Sequence, residues 1–211
     1  MAENFSKISL EISKLTKEFD RRPVFKDLNF SLTNSDSIAI TGKNGSGKST
    51  LIKVLANVYA QTAGNITFSI DGKAVERQNV YQYIGFVSPY LNLYDQLTGE
   101  ENLVFFATLS GINLPGKTID ELLATVGLEG RGVDPVGAYS SGMKQRLKYA
   151  VALLKDPAFI FLDEPSSNLD SDGKAFVRQF VGQRRSKSIV LIATNEEEDY
   201  SLTDELIRLG Q

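Results

Sequence analysis

The chain has 211 residues, enough to bury a substantial core as one domain with a small subdomain. Its 23 Lys+Arg against 26 Asp+Glu give a formal net charge of -3, which offers no support for a nucleic-acid partner. Cysteine and histidine are both absent, which excludes disulfides and thiolate chemistry and removes the usual general base and the commonest metal ligand. Any chemistry must then run on carboxylates, lysine, hydroxyls, backbone dipoles and a borrowed metal ion. No run approaches the roughly 20 apolar residues that cross a bilayer. Met1-Ala2-Glu3-Asn4-Phe5 lacks the basic and apolar regions of a signal peptide, so a cytoplasmic location is expected.

In chain order, Ile8, Leu10 and Ile12 alternate with polar residues and predict a strand, as do Leu28, Phe30 and Leu32. Glu18 to Pro23 between them reads as a turn carrying one aromatic, Phe19. Ile38 to Thr41 reads as a buried strand. Ile66, Phe68 and Ile70 alternate again, and Asp71-Gly72 is a strong turn signal. The stretch from about 97 to 155 reads as mainly helical. Leu103, Phe106 and Leu109 have helical spacing, as do Leu122, Leu123 and Val126, with Gly127 at a helix end and Pro115-Gly116 as a break. Met143 to Lys155 predicts a further helix. Phe159 to Leu162 and Ile189 to Ala193 are short apolar runs that suit strands buried on both faces of a parallel sheet. A helix over 172–182 between them makes a βαβ unit.

The most specific motif is Gly42-Lys43-Asn44-Gly45-Ser46-Gly47-Lys48-Ser49-Thr50. It follows a strand and opens a helix, the order that makes a phosphate-binding loop meaningful. Its glycines let backbone N–H groups face one anion, and the helix N-terminus adds its positive end. Lys48 can reach the β- and γ-phosphates, and Ser49 can ligate Mg²⁺. Downstream, an apolar strand runs into Asp163-Glu164-Pro165. Two carboxylates at the C-terminal tip of a parallel strand suit phosphoryl transfer, with Asp163 on Mg²⁺ and Glu164 polarising the attacking water. The chain is expected to bind a nucleoside triphosphate and to hydrolyse it.

With these motifs the chain resembles the ATP-binding subunit of ABC transporters, over residues from about 8 to 209. Tyr139-Ser140-Ser141-Gly142-Met143-Lys144-Gln145-Arg146 is similar to the family signature, with matches at Ser140 and Gly142. Ser166-Ser167-Asn168-Leu169-Asp170 resembles the loop that crosses the family's dimer interface. The resemblance implies an α/β P-loop NTPase core with a parallel sheet flanked by helices, an N-terminal antiparallel β subdomain and a helical subdomain. It implies one domain over 1–211, with the core in 1–88 and 156–211 and a semi-independent helical lobe at about 90–155. It further implies Phe19 stacked on adenine. Asn44, Gly45, Ser46, Gly47, Lys48, Ser49 and Thr50 cradle the phosphates, and Ser140 and Gly142 are presented to nucleotide held by an opposite subunit. The cofactors implied are ATP and Mg²⁺. The partners implied are a head-to-tail second copy or a paired ABC subunit, and a separate integral membrane transporter subunit that holds the chain at the inner face of the cell membrane.

Within the signature Tyr139 replaces leucine, Ser141 replaces the first glycine and Met143 stands at the terminal glutamine position, and two further departures matter. Pro89 stands where the family has a glutamine, and it offers neither a side-chain ligand nor an N–H. Asn195 stands where the family has a switch histidine; it can donate to a γ-phosphate oxygen but cannot carry a proton. A slow but live ATPase is the expectation. The compact length resembles short cassettes of haem-exporter and minimal export systems. The alternatives are a soluble non-transport module of iron–sulfur assembly type, or a nucleotide-binding subunit with little turnover.

Overall fold

Residues 189–193 and 159–163 show how the sequence builds the centre of the molecule. Along each run, side chains alternate between two faces, and both faces are covered. Phe159, Phe161, Ile189, Leu191 and Ala193 enter one apolar cluster, whereas Ile160, Leu162, Val190 and Ile192 enter the other. That is why neither run shows a polar alternation.

The computed structural model describes residues 5–34, 36–112, 114 and 116–210. Met1–Asn4 of the leader reading and Pro115 of the predicted break lie outside these residues. Strands β1 (Ile8–Phe19), β2 (Arg22–Thr33), β4 (Ala63–Ile70) and β5 (Lys73–Ala74) form an antiparallel sheet in the order β2-β1-β4-β5. Strands β3 (Ser37–Thr41), β6 (Ile84–Val87), β7 (Phe159–Asp163), β8 (Ile189–Ala193) and β9 (Glu205–Arg208) form a parallel sheet in the order β6-β7-β8-β3-β9. The helices are α1 (Lys48–Leu55), α2 (Gly99–Leu109), α3 (Gly116–Thr125), α4 (Ser141–Ala152), α5 (Ser171–Arg184) and α6 (Glu197–Tyr200). This is the P-loop NTPase architecture that the motifs imply.

The first cluster joins the antiparallel sheet and α1 to one face of the parallel sheet, through Leu10, Leu32, Leu51 and Ile52. The second joins the other face to α2, α3, α4 and α5, through Leu103, Leu123, Leu147, Phe176 and Phe180. The apolar core of residues 99–154 is therefore continuous with the parallel sheet.

The turns are tighter than the sequence reading placed them. The β1–β2 turn is only Asp20-Arg21, both at positive φ, so Phe19 lies in the strand. Asp71-Gly72 likewise joins β4 to β5, with Ile70 facing Lys73. The two-residue loops with positive φ match the right-handed twist of the strands they join. Within 97–155, residues 126–140 are turns and one short 3₁₀ segment rather than helix. Helix α4 starts at Ser141, two residues before the predicted Met143, because Ser140 caps it by accepting from the Met143 N–H at 3.2 Å. It ends at Ala152 rather than Lys155. Helix α5 runs from Ser171 to Arg184, wider at both ends than 172–182, and Asp170 caps it through the Gly173 N–H at 2.8 Å.

Candidate active site

Four chain segments meet at the C-terminal edge of the parallel sheet: the loop after β3, and the loops after β7, β8 and β9. In the first, Gly47 has φ 99°, and a Cβ there would lie 2.4 Å from Val24 Cγ1. Gly42 has φ 149°, and a Cβ there would lie 2.6 Å from Leu209 O and from Ser46 Oγ. A side chain at either position would push the loop outward, so glycine is required by both conformation and space. The loop then turns into α1. No side chain caps α1, and no acidic residue sits in its first turn. In contrast α2, α4 and α5 each carry a side-chain cap, from Thr98, Ser140 and Asp170. The first N–H groups of α1 are thus left to an external anion.

Lys48 opens this helix and is only 5% exposed. Its Nζ donates to the Gly42 carbonyl at 3.0 Å and lies 3.8 Å from Glu164 Oε1. Ser49 Oγ donates to Asp163 Oδ1 at 2.8 Å, while Asp163 Oδ2 is buried without a partner. Ser46 Oγ is also buried and unpartnered. Orphaned buried oxygens are costly in isolation. A Ser hydroxyl and a carboxylate with a free oxygen fit Mg²⁺, a hard cation held by one or two protein oxygens together with substrate phosphates. Among the described residues there is no cluster of three or more acidic side chains suited to an all-protein metal cage.

Burial pushes the Asp163 carboxyl above its ordinary range, against the pull of the Ser49 hydroxyl and of Lys53 and Lys48. Burial raises Glu164 as well, against the pull of Lys48 and the Asn195 backbone. Burial therefore disfavours the charged form of both carboxylates. Glu164 has φ 50°, and its N–H donates to the Ala193 carbonyl at 2.7 Å. The left-handed turn takes it out of the strand line that Asp163 follows.

Asn195 is exposed, and its Nδ2 donates to Asn44 Oδ1 at 2.6 Å, joining the loop after β8 to the phosphate loop. Phe19, 44% exposed, lines an open cleft of about 740 Å³ together with Gly45, Ser46, Arg22 and Gly210. Its ring meets Tyr59 edge-on at 5.7 Å, and Lys17 Nζ lies 4.3 Å from its centroid. Thr50 is half-buried in the first turn of α1.

The fold therefore gathers Phe19, Asn44 to Thr50, Asp163, Glu164 and Asn195. Ser140 and Gly142 stand apart at the start of α4, and no hydrogen bond or ion pair among the described residues joins them to this group. Ser140 is exposed, and a Cβ added at Gly142 would meet only Ser140 Oγ at 3.9 Å. Pro89 is exposed, and its carbonyl accepts from Lys148 Nζ at 3.2 Å. Ser88 Oγ is taken up locally by the Tyr90 N–H at 3.3 Å.

The sequence reading missed Asp199 and Tyr200. Asp199 is buried and accepts from Ser166 and Thr194, and Tyr200 bonds Thr41. Their one sequence signal is the acidic run Glu196 to Asp199, which reads as a helix first turn.

Residues 25–167 match the family described as ABC transporter. The chain belongs to that family. It is 34% identical over 188 residues to an uncharacterized ABC transporter ATP-binding protein, YxlF, of Bacillus subtilis (strain 168), covering 88% of this chain and 62% of that protein. It is 31% identical over 190 residues to the linearmycin resistance ATP-binding protein LnrL of the same organism, covering 88% of this chain and 60% of that protein. The chain thus spans about three fifths of the length of both relatives. Among solved structures, a dimeric ATP-binding cassette in a post-hydrolysis state, bound to ADP and Pi, superposes with a TM-score of 0.79. That cassette is 23% identical, with 95% of this chain and 94% of that one covered, and it shows the shared fold. Among the described residues no helix is long and apolar enough to cross a membrane.

Proposed function

We propose that the chain is the ATP-binding and ATP-hydrolysing subunit of a transporter whose membrane part is a separate polypeptide. The observation that carries this reading is the uncapped start of α1, with Lys48 on one side and the Ser49–Asp163 pair on the other. Backbone N–H groups of residues 44–50 and Lys48 bind the phosphates, and Phe19 offers its ring to adenine. Ser49 and Asp163 would hold Mg²⁺, which would supply positive charge against that of the phosphates. Glu164 orients and polarises the attacking water. Asn195 donates to a γ-phosphate oxygen, after leaving Asn44 or through a shared geometry. Lacking a charge, it stabilises the transition state less than a protonated imidazole would, so slow turnover is part of the reading.

Ser140 and Gly142 serve the nucleotide of a second copy or a paired subunit, stacked head to tail. Gly142 supports this: it stands in the first turn of α4, and among the described residues a Cβ there would meet only Ser140 Oγ, at 3.9 Å, so packing does not require a glycine. The helical lobe of about 90–155 turns slightly against the rest when nucleotide binds. Its groove, lined by Leu91, Leu93, Asp95, Lys144 and Lys148, receives the membrane partner, which keeps the chain at the cytoplasmic face.

The test is ATP hydrolysis by the purified chain with Mg²⁺, beside Glu164→Gln and an equilibrium ATP-binding assay. Hydrolysis that Glu164→Gln lowers by about 10²-fold or more while binding persists supports the reading. Absence of ATP binding by the wild-type chain would overturn it.

A further inference from the structure

Two loops that border the phosphate site, and the last residue of the strand that feeds the phosphate loop, are each tied by a side chain to the same short helix, α6. Asp199 is 1% exposed, and both of its carboxylate oxygens are engaged. Oδ1 accepts from Ser166 Oγ at 2.5 Å, and Oδ2 accepts from Thr194 Oγ1 at 2.7 Å. Ser166 closely follows Glu164, and Thr194 directly precedes Asn195. The Thr194 hydroxyl also accepts from the Glu196 N–H at 3.0 Å. The turn that carries Asn195 is thus pinned from both sides. The neighbouring Tyr200 shares a 2.5 Å hydrogen bond with Thr41 Oγ1, and Thr41 leads directly into Gly42 of the phosphate loop.

A carboxylate buried to this degree is expensive, and an apolar side chain would fill the same space at less cost. What an apolar side chain could not do is hold two hydroxyls from two separate loops at once. We infer that Asp199, assisted by Tyr200, is a positioning residue that locks the Glu164 loop, the Asn195 loop and the start of the phosphate loop into one geometry. This rests on the ATPase reading above. No bond forms or breaks at Asp199; it acts through the residues it holds. An error of about 1 Å in such placement costs turnover on the order of 10²-fold.

The test uses the purified chain and the variants Asp199→Ala, Asp199→Asn and Ser166→Ala. Asparagine keeps one oxygen acceptor and offers an amide N–H to the second hydroxyl, so shape and bonding are retained without the charge. The expected result for Asp199→Ala is a fall in kcat of roughly tenfold or more per folded chain. The KM for ATP stays within a few-fold of wild type, and Asp199→Asn restores most of the loss. A folded Asp199→Ala chain with wild-type kcat would overturn the inference, and so would an Asp199→Asn chain as slow as Asp199→Ala. If Asp199→Ala does not fold, Ser166→Ala carries the same expectation with a smaller fall in kcat, and no fall is contrary. Amide hydrogen exchange of residues 164–168 and 193–196 gives a readout that needs no turnover. Asp199→Ala should loosen both segments together and Asp199→Asn should not, whereas unchanged protection in Asp199→Ala would sink the idea. A wild-type chain that binds ATP without hydrolysing it would remove the ATPase reading while this exchange result still decides the positioning role.

Discussion

The surroundings of Lys48 and those of Ser140 are built on opposite plans. Around Lys48 the chain supplies its own support. The lysine and Asp163 are almost wholly buried, Ser49 bonds Asp163, and Glu164 and Asn195 are held by backbone and side-chain partners. Around Ser140, among the described residues, it supplies one helix cap, and a Cβ at the part-buried Gly142 would meet only Ser140 Oγ at 3.9 Å. The first region is a site in its own right. Under the proposed reading the second is half a site, completed by nucleotide held on another subunit.

The sharpest way to break that comparison is Glu164→Gln. Under the proposed reading it lowers turnover by about 10²–10³-fold, the range for removal of one polar group that acts in the transition state. ATP affinity is retained. Measured turnover within a few-fold of wild type would remove Glu164 from its role.

Next in size is Gly142→Ala. Because the Cβ would make only an ordinary contact, 3.9 Å from Ser140 Oγ, the isolated chain should be about as stable as wild type. ATP binding by a single chain should not change, while turnover should fall at least tenfold by the loss of close approach to a second nucleotide. The contrasting substitution is Gly47→Ala, where the Cβ would strike Val24. It should destabilise the chain and abolish ATP binding together. Melting curves and binding isotherms of the two variants separate the two plans.

Asp163→Asn tests the electrostatic half of the comparison. The folded Asp163 is raised by burial above its ordinary value of 3.8. A carboxyl whose folded value is raised binds its proton more tightly when folded, so its stability contribution falls as pH rises through the window above the unfolded value. At neutral pH the charge is therefore a liability in the nucleotide-free chain. Asp163→Asn should raise the nucleotide-free Tm, where each ~1 kcal/mol is worth about 2–4 °C for a domain of this size. The gain should disappear below pH 3.8, where the wild-type carboxyl is protonated in both states. The stabilisation that MgATP gives the wild-type chain should vanish in the variant. Scanning calorimetry across pH, with and without MgATP, checks both signs.

The smallest effect is that of Phe19→Ala, which should raise the KM for ATP several-fold, in line with an aromatic contact worth about 1 kcal/mol. The kcat should stay unchanged, and steady-state kinetics would show the split.

Much of this was legible in the sequence because the motifs are contiguous. The phosphate loop, Asp163-Glu164 and the buried strands could each be read from neighbouring residues, and the structure brings the loop, Asp163, Glu164 and Asn195 together. What escaped were contacts between distant segments. Asn195 meets Asn44 across 151 positions, and nothing local to either announces it. In the sequence Asp199 is only the last member of the acidic run Glu196 to Asp199. Only the fold shows it buried beneath two loops, because a four-residue helix is too short for periodicity to assign a face. Strand β9 is likewise a four-residue edge strand, exposed at three of its four positions, and its pattern carries little signal. The helix starts at Ser141 and Ser171 were set by side-chain caps, which shift a boundary by one or two residues against the apolar pattern.

The central claim is that the bare surface at Ser140 and Gly142 completes the nucleotide site of a second copy. Sedimentation of Glu164→Gln with MgATP, alone and combined with Gly142→Asp, tests it most directly. The account predicts a dimer for Glu164→Gln only when ATP is present, and an ATP-bound monomer for the double variant. An ATP-bound Glu164→Gln chain that stays monomeric, or a dimer that Gly142→Asp leaves intact, would contradict it.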